Sequence, residues 1–103
     1  MKKIQAEIKK FCQENNLESP TEHRLLDLMS ELGEVAKEVL KMTDYGRKPR
    51  QPRQEVKSEL GDVFYSLITV ANSLDIDLEE ALALVLEKYK RRLSKGSTGS
   101  ENE

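Results

Sequence analysis

The chain has no tryptophan, one cysteine and one histidine among its 103 residues, and aromatics make up 5% of it. A large aromatic core is excluded. Cys12 alone cannot close an internal disulfide, so packing must hold the fold, and a reduced cytoplasmic setting is the simple reading. No apolar run approaches the roughly 18 residues of a membrane span. The opening stretch MKKIQAEIKKF is charged throughout and lacks the apolar centre of a signal peptide. Neither sign of charge dominates: 17 Lys and Arg face 19 Asp and Glu, for a net charge of −2. There is no global basic field for nucleic acid. A di-iron carboxylate bundle needs Glu-x-x-His on two helices. The one histidine, His23, has Pro20 three places ahead, so that centre fits poorly, and His23 reads as a surface or capping residue ahead of a role near a substrate.

What the chain does have is charge (35%) and helical periodicity. Its length allows one domain with a thin core, a size at which oligomers are common. Ile4, Ile8, Phe11 and Cys12 predict a short amphipathic helix over residues 2–15, ended by Asn15 and Asn16. Ser19, Pro20 and Glu22 read as N-cap, first position and third position of a second helix running to about 43. Residues 43–52 form a basic loop broken by Gly46, Pro49 and Pro52. A third helix, with Pro52 as its first residue, reaches 73 or 74. Its apolar side chains nearly encircle it, which predicts burial on most sides and hints at a second subunit. Asp77 with Glu80 reads as a capping box for a fourth helix over 78–94. Leu78, Leu82, Val85, Tyr89 and Leu93 form its stripe. Residues 95–103 carry no apolar side chain and read as a disordered tail. The expected fold is all-α: an antiparallel four-helix bundle over 1–94, completed by oligomerisation.

One short phrase occurs twice. Ser30-Glu31-Leu32-Gly33-Glu34-Val35 returns, 28 residues later, as Ser58-Glu59-Leu60-Gly61-Asp62-Val63. Acids three apart on a helix share a face, so each copy is a pincer of two carboxylates. On packed helices, Glu31 and Glu34 would face Glu59 and Asp62. Four such charges repel each other or take up protons unless a cation joins them. An all-oxygen set suits Mg²⁺, with Mn²⁺ as a possible substitute. Such an ion neutralises phosphate charge and activates water. Gly33 and Gly61 each cost the helix about 1 kcal/mol relative to alanine, which suggests close backbone approach or room for a ligand. The competing reading is a plain solvated acidic face.

At these residues the chain resembles the MazG-like family of all-α nucleotide pyrophosphohydrolases. The family pattern is Glu-Glu-x-x-Glu, a spacer, then Glu-x-x-Asp. Ser30 through Glu34 and Glu59 through Asp62 match it, with 24 residues between Glu34 and Glu59. Ile76 through Ala81 resemble the family's entry into its last helix. The likeness covers roughly residues 20–93. It implies a homodimer or homotetramer that cleaves nucleoside triphosphates between the α and β phosphates, with Mg²⁺. It implies Glu31, Glu34, Glu59 and Asp62 as metal ligands, with Glu34, Glu38 and Glu59 as the catalytic residues. Glu38, one turn on, supports the ligands, positions water, or is a plain surface acid. The sequence departs from the pattern at Ser30, and at Val85 and Tyr89, where a nucleotide-contacting Lys and Asn are expected. Lys88 and Arg92 are the nearest cations for phosphates, or simply a basic helix end. Asn72 reaches the base or sugar, or caps its helix. A non-catalytic nucleotide-binding or interaction module on the same fold is the alternative.

Overall fold

The architecture is a computed structural model, which describes residues 1–96. Four helices account for its regular structure: α1 (Lys2–Glu14), α2 (Thr21–Met42), α3 (Gln54–Ser73) and α4 (Leu78–Ser94). The described residues contain no strand. The all-α fold and its four helices are those expected from periodicity. Lys95 and Gly96 form a turn after α4, and the remainder of the expected tail, 97–103, lies outside the described residues.

α2 and α3 form an antiparallel hairpin and supply most of the packing, with α1 laid against α3. Two contacts fix their direction. At one end the Thr21 hydroxyl donates to Ser73 Oγ at 3.0 Å. At the other, Arg53 beside the start of α3 binds Glu38 near the end of α2. The apolar core is small: Cys12, Ile68, Val70 and Ala71. It lies where α1 crosses the carboxyl-terminal half of α3. There the Cys12 thiol sits 3.3 Å from the Tyr65 hydroxyl. The Phe11 ring meets Tyr65 edge-on at 6.4 Å between centroids.

The rest of the expected stripe of α3 stays open in the single chain, with Leu60, Phe64, Leu67 and Leu74 exposed. α4 buries none of its residues and has few contacts with the other helices. Its stripe of Leu82, Val85, Tyr89 and Leu93 faces outward. What holds α4 is its first turn. Asp77 Oδ1 accepts from the Glu79 and Glu80 N–H groups at 2.8 and 3.2 Å, as its place at the N-cap predicts. Gln5 of α1 accepts from the Leu78 N–H at 2.9 Å. The radius of gyration, 17.1 Å, exceeds the about 13 Å of a compact chain of this length.

Two helix starts differ from expectation. Pro20, not Ser19, is the N-cap of α2. Its backbone is extended at ψ 151°, and its carbonyl takes the first helical bonds from His23 and Arg24. No side chain caps that end. α3 likewise begins at Gln54 with Arg53 as N-cap, because Arg53 is extended and Pro52 falls outside the helix.

Candidate active site

The antiparallel register of α2 and α3 sets the two copies of the repeated phrase against each other. Glu31 from the first copy meets Glu59 and Asp62 from the second, with one carboxylate oxygen of each within 4.8 Å of the others. Glu31 and Glu59 are half-buried and Asp62 is exposed. Glu34 is exposed and stands outside this three-oxygen group, yet its charge still reaches Glu59.

Glu59 is the electrostatic centre of the group. Burial pushes its carboxyl above the usual range, and the charges of Asp62, Glu34, Glu31 and Glu38 push it the same way. A carboxylate raised by four like neighbours is a place that lacks positive charge. With no imidazole or thiolate present, the donor set is all hard oxygen. That fits a divalent cation such as Mg²⁺ or Mn²⁺ better than a softer one.

Glu38 lies one turn beyond Glu34. It is buried, the one such residue of α2. Its Oε2 accepts from Arg53 Nε at 2.9 Å and lies 2.9 Å from Arg53 Nη2. Lys41 Nζ stands 3.6 Å from Oε1. Burial pushes the Glu38 carboxyl up, but the hydrogen bond and charge of Arg53, helped by Lys41, outweigh it and leave the carboxyl below its ordinary value. Glu38 is therefore an ionised, cation-clamped acid. Sequence reasoning singled out Glu38 but missed Arg53 and Lys41 as its partners. The available signal was the run of cations through the basic loop that continues past it to Arg53 at the start of α3.

The glycines of the two phrases do not mark close backbone approach within the chain. A Cβ built on Gly33 or Gly61 meets nothing within 4 Å. The space beside each is open in the single chain.

The cations of α4 are grouped around their own helix. Lys88 Nζ lies 5.6 Å from the centroid of the Tyr89 ring, and Arg92 Cζ lies 5.9 Å from it. Asn72 is engaged at both ends of its amide. Its Oδ1 accepts from Gln5 Nε2 at 3.1 Å, and its Nδ2 donates to the Gln5 carbonyl at 2.9 Å. In the single chain, then, Asn72 ties α1 to α3. His23 is exposed, and its N–H belongs to the first turn of α2, as a surface or capping role predicts.

A recess of about 100 Å³ lies between α1, the start of α2 and the end of α3, lined by Lys9, Cys12, Glu18, Arg24, Thr69 and Asn72 among others. It gathers no converging carboxylates. The acid group lies instead on an open face of the hairpin. The site is placed at that group on its charge and ligand chemistry, since concavity alone does not bind an ion.

Comparison with known proteins agrees with this geometry. Residues 20–96 match the model of the MazG nucleotide pyrophosphohydrolase domain. The uncharacterized protein YpjD of Bacillus subtilis (strain 168) is 41% identical over 97 residues, covering 89% of this chain and 85% of that protein. The crystal structure of Bacillus subtilis YpjD superposes with a TM-score of 0.71 at 40% identity, over 89% of this chain and 94% of the other. A Bacillus-conserved MazG protein, described as a nucleotide pyrophosphohydrolase, superposes with a TM-score of 0.71 at 32% identity, over 85% and 86% of the two chains. The chain belongs to the MazG nucleotide pyrophosphohydrolase family and is a pyrophosphatase of that hydrolase class.

Proposed function

We propose that the chain hydrolyses nucleoside or deoxynucleoside triphosphates between the α and β phosphates, giving the monophosphate and pyrophosphate, with Mg²⁺ as its natural ion. The observation that carries the reading is the convergence of Glu31, Glu59 and Asp62 from the two copies of one phrase. These three hold the cation, and Glu34, exposed beside them, completes the set. A divalent cation at this place neutralises charge on the phosphates and lowers the pKa of water. By holding the cation, the acids would fix where the phosphates that bind it lie. A water oxygen then bonds to the α phosphorus in line with the α–β bridging oxygen, the bond from that phosphorus to the bridging oxygen breaks, pyrophosphate departs with the electron pair, and the water's proton passes to solvent. On α4, Lys88 and Arg92 are the groups that hold phosphate oxygens.

A homodimer or homotetramer belongs to the same reading. The chain exposes 7915 Å², against about 5900 Å² for a compact folded chain of its mass. That excess is ample for a stable interface of about 1600 Å² in all. A second copy covering the open side of α3 and the stripe of α4 would bury the exposed leucines there.

Product analysis over a panel of triphosphates with Mg²⁺ tests the proposal. Pyrophosphate with a monophosphate supports it and ranks the bases. Orthophosphate with a diphosphate, or no product at all, overturns it.

A further inference from the structure

The buried residue of α2 is a charged one. Glu38 is 9% exposed, while Leu25, Met29, Leu32, Val39 and Leu40 of the same helix are exposed. Burying a carboxylate is costly unless cations meet it, and a paired buried charge is a poor source of net stability. Its best-attested use is to specify one register over its neighbours.

Register is what the acid group needs. Glu38 lies seven residues after Glu31, two helical turns along α2. Arg53 lies six residues before Glu59, at the N-cap of the facing helix α3. The apolar core, with Ile68, Val70 and Ala71, sits toward the opposite end of α3. Near the acids the apolar side chains are only partly covered: Val39, Leu40 and Leu60 are about half exposed, and Val35, Val56 and Val63 are half-buried, none of them fully enclosed. The acids themselves repel, which favours sliding or splaying of the two helices at this end. Against that, Arg53 sets two nitrogens of its rigid fork on Glu38 Oε2, each at 2.9 Å. Both nitrogens converge on that one oxygen, with Nε donating the hydrogen bond, so the planar guanidinium is held edge-on to Glu38, a constraint a lysine ammonium does not supply.

We infer that Arg53 is a positioning residue of the metal site: by holding Glu38 it fixes where α3 stands against α2, and so where Glu59 and Asp62 stand against Glu31. The inference rests on reading that acid group as a metal site. Arg53 touches neither ion nor substrate; it acts through Glu38. The same pairing also cancels the charge of a further acid close to Glu59.

Binding of Mn²⁺ to the full-length protein, followed by the loss of the free-ion electron paramagnetic resonance signal, tests this without any turnover. Arg53→Met should weaken Mn²⁺ binding by about 10- to 100-fold, the usual effect of losing a group that orients metal ligands. Arg53→Lys should recover part of it. The decisive variant is Glu38→Leu with Arg53→Met, which removes both charges and leaves an apolar pair. It should melt near the wild-type temperature and still bind Mn²⁺ weakly. The exchanged pair, Glu38→Arg with Arg53→Glu, should restore binding. If the apolar double variant melts as wild type and binds Mn²⁺ with wild-type affinity, the pair is only structural and the inference is overturned. Wild-type protein that shows no saturable Mn²⁺ binding overturns the metal reading itself, and this inference with it.

Discussion

Gln5 and Asn72 hydrogen-bond each other twice, once amide to amide at 3.1 Å and once from the Asn72 amide to the Gln5 backbone carbonyl at 2.9 Å. Gln5 also donates to the Ile76 carbonyl and accepts from the Leu78 N–H, both at 2.9 Å. One side chain thus joins α1, α3 and the first turn of α4. Removing it with Gln5→Ala strands those partners, which costs about 1–3 kcal/mol. Urea unfolding of Gln5→Ala, Asn72→Ala and the double variant checks this. Because the residues share their bonds, the double loss should be clearly smaller than the sum of the single ones. Additive losses would show that the two act separately.

Glu59→Gln should act in opposite directions on stability and on function. Without metal it removes a carboxylate that four acids push upward, so the melting temperature should rise. The Mg²⁺-induced rise in melting temperature should shrink, and turnover should fall by more than about 100-fold, beyond the loss seen for groups that merely orient ligands. Full activity in this variant would remove Glu59 from the site.

The pH dependence of stability follows from two opposed shifts. Glu59 is raised in the folded state, so the stability its proton confers is complete below the unfolded value and lost as pH rises through the folded one. Glu38 is lowered, from an ordinary value of 4.5. Its contribution is present above that value and lost as pH falls through the folded one. Thermal melts of metal-free protein across the acidic range should therefore show Glu59→Gln gaining on wild type as pH rises. Glu38→Gln should lose most at neutral pH. Mg²⁺ competes with the Glu59 proton, so its stabilising effect should weaken on acidification.

Gly33→Ala and Gly61→Ala should each stabilise the isolated chain by about 1 kcal/mol, since the added methyl meets nothing within 4 Å and alanine is the better helix former. Chemical denaturation gives the stability and initial rates give the activity. A more stable variant with a higher KM would assign the open space to substrate. A destabilised variant would mean that the space is filled by another copy.

Leu82 and Leu93 on α4 are 58% and 68% exposed. A glutamate at either place should leave the helix content of the single chain unchanged. If a second copy covers α4, the same change should shift the protein toward monomer in sedimentation velocity. An unchanged distribution at micromolar concentration would show that assembly uses another face.

Local signals decided much of this protein. Apolar spacing and breakers give four helices, and the short-range chemistry of Asp77 gives the start and cap of α4. The repeated phrase gives Glu31, Glu59 and Asp62, since acids three apart must share a helical face. Other features depended on how helices meet. Asn72 reads equally as a ligand contact or a cap until Gln5, 67 residues away, is seen to occupy its amide. Glu38 reads equally as a helper of the metal ligands, a group that positions water or a surface acid until Arg53 is seen to clamp it. Glu34 matches the pattern as well as Glu31 does, yet falls outside the close oxygen group. Even the start of α2 moved past Ser19, because the extended backbone of Pro20 let its carbonyl take the first helical bonds. The physical reason is range. Periodicity and capping act over three or four residues and are written in the chain. The pairing of α2 with α3 depends on a register set by many weak contacts at once, and the tertiary structure alone decided which acids converge and which cation stands beside them.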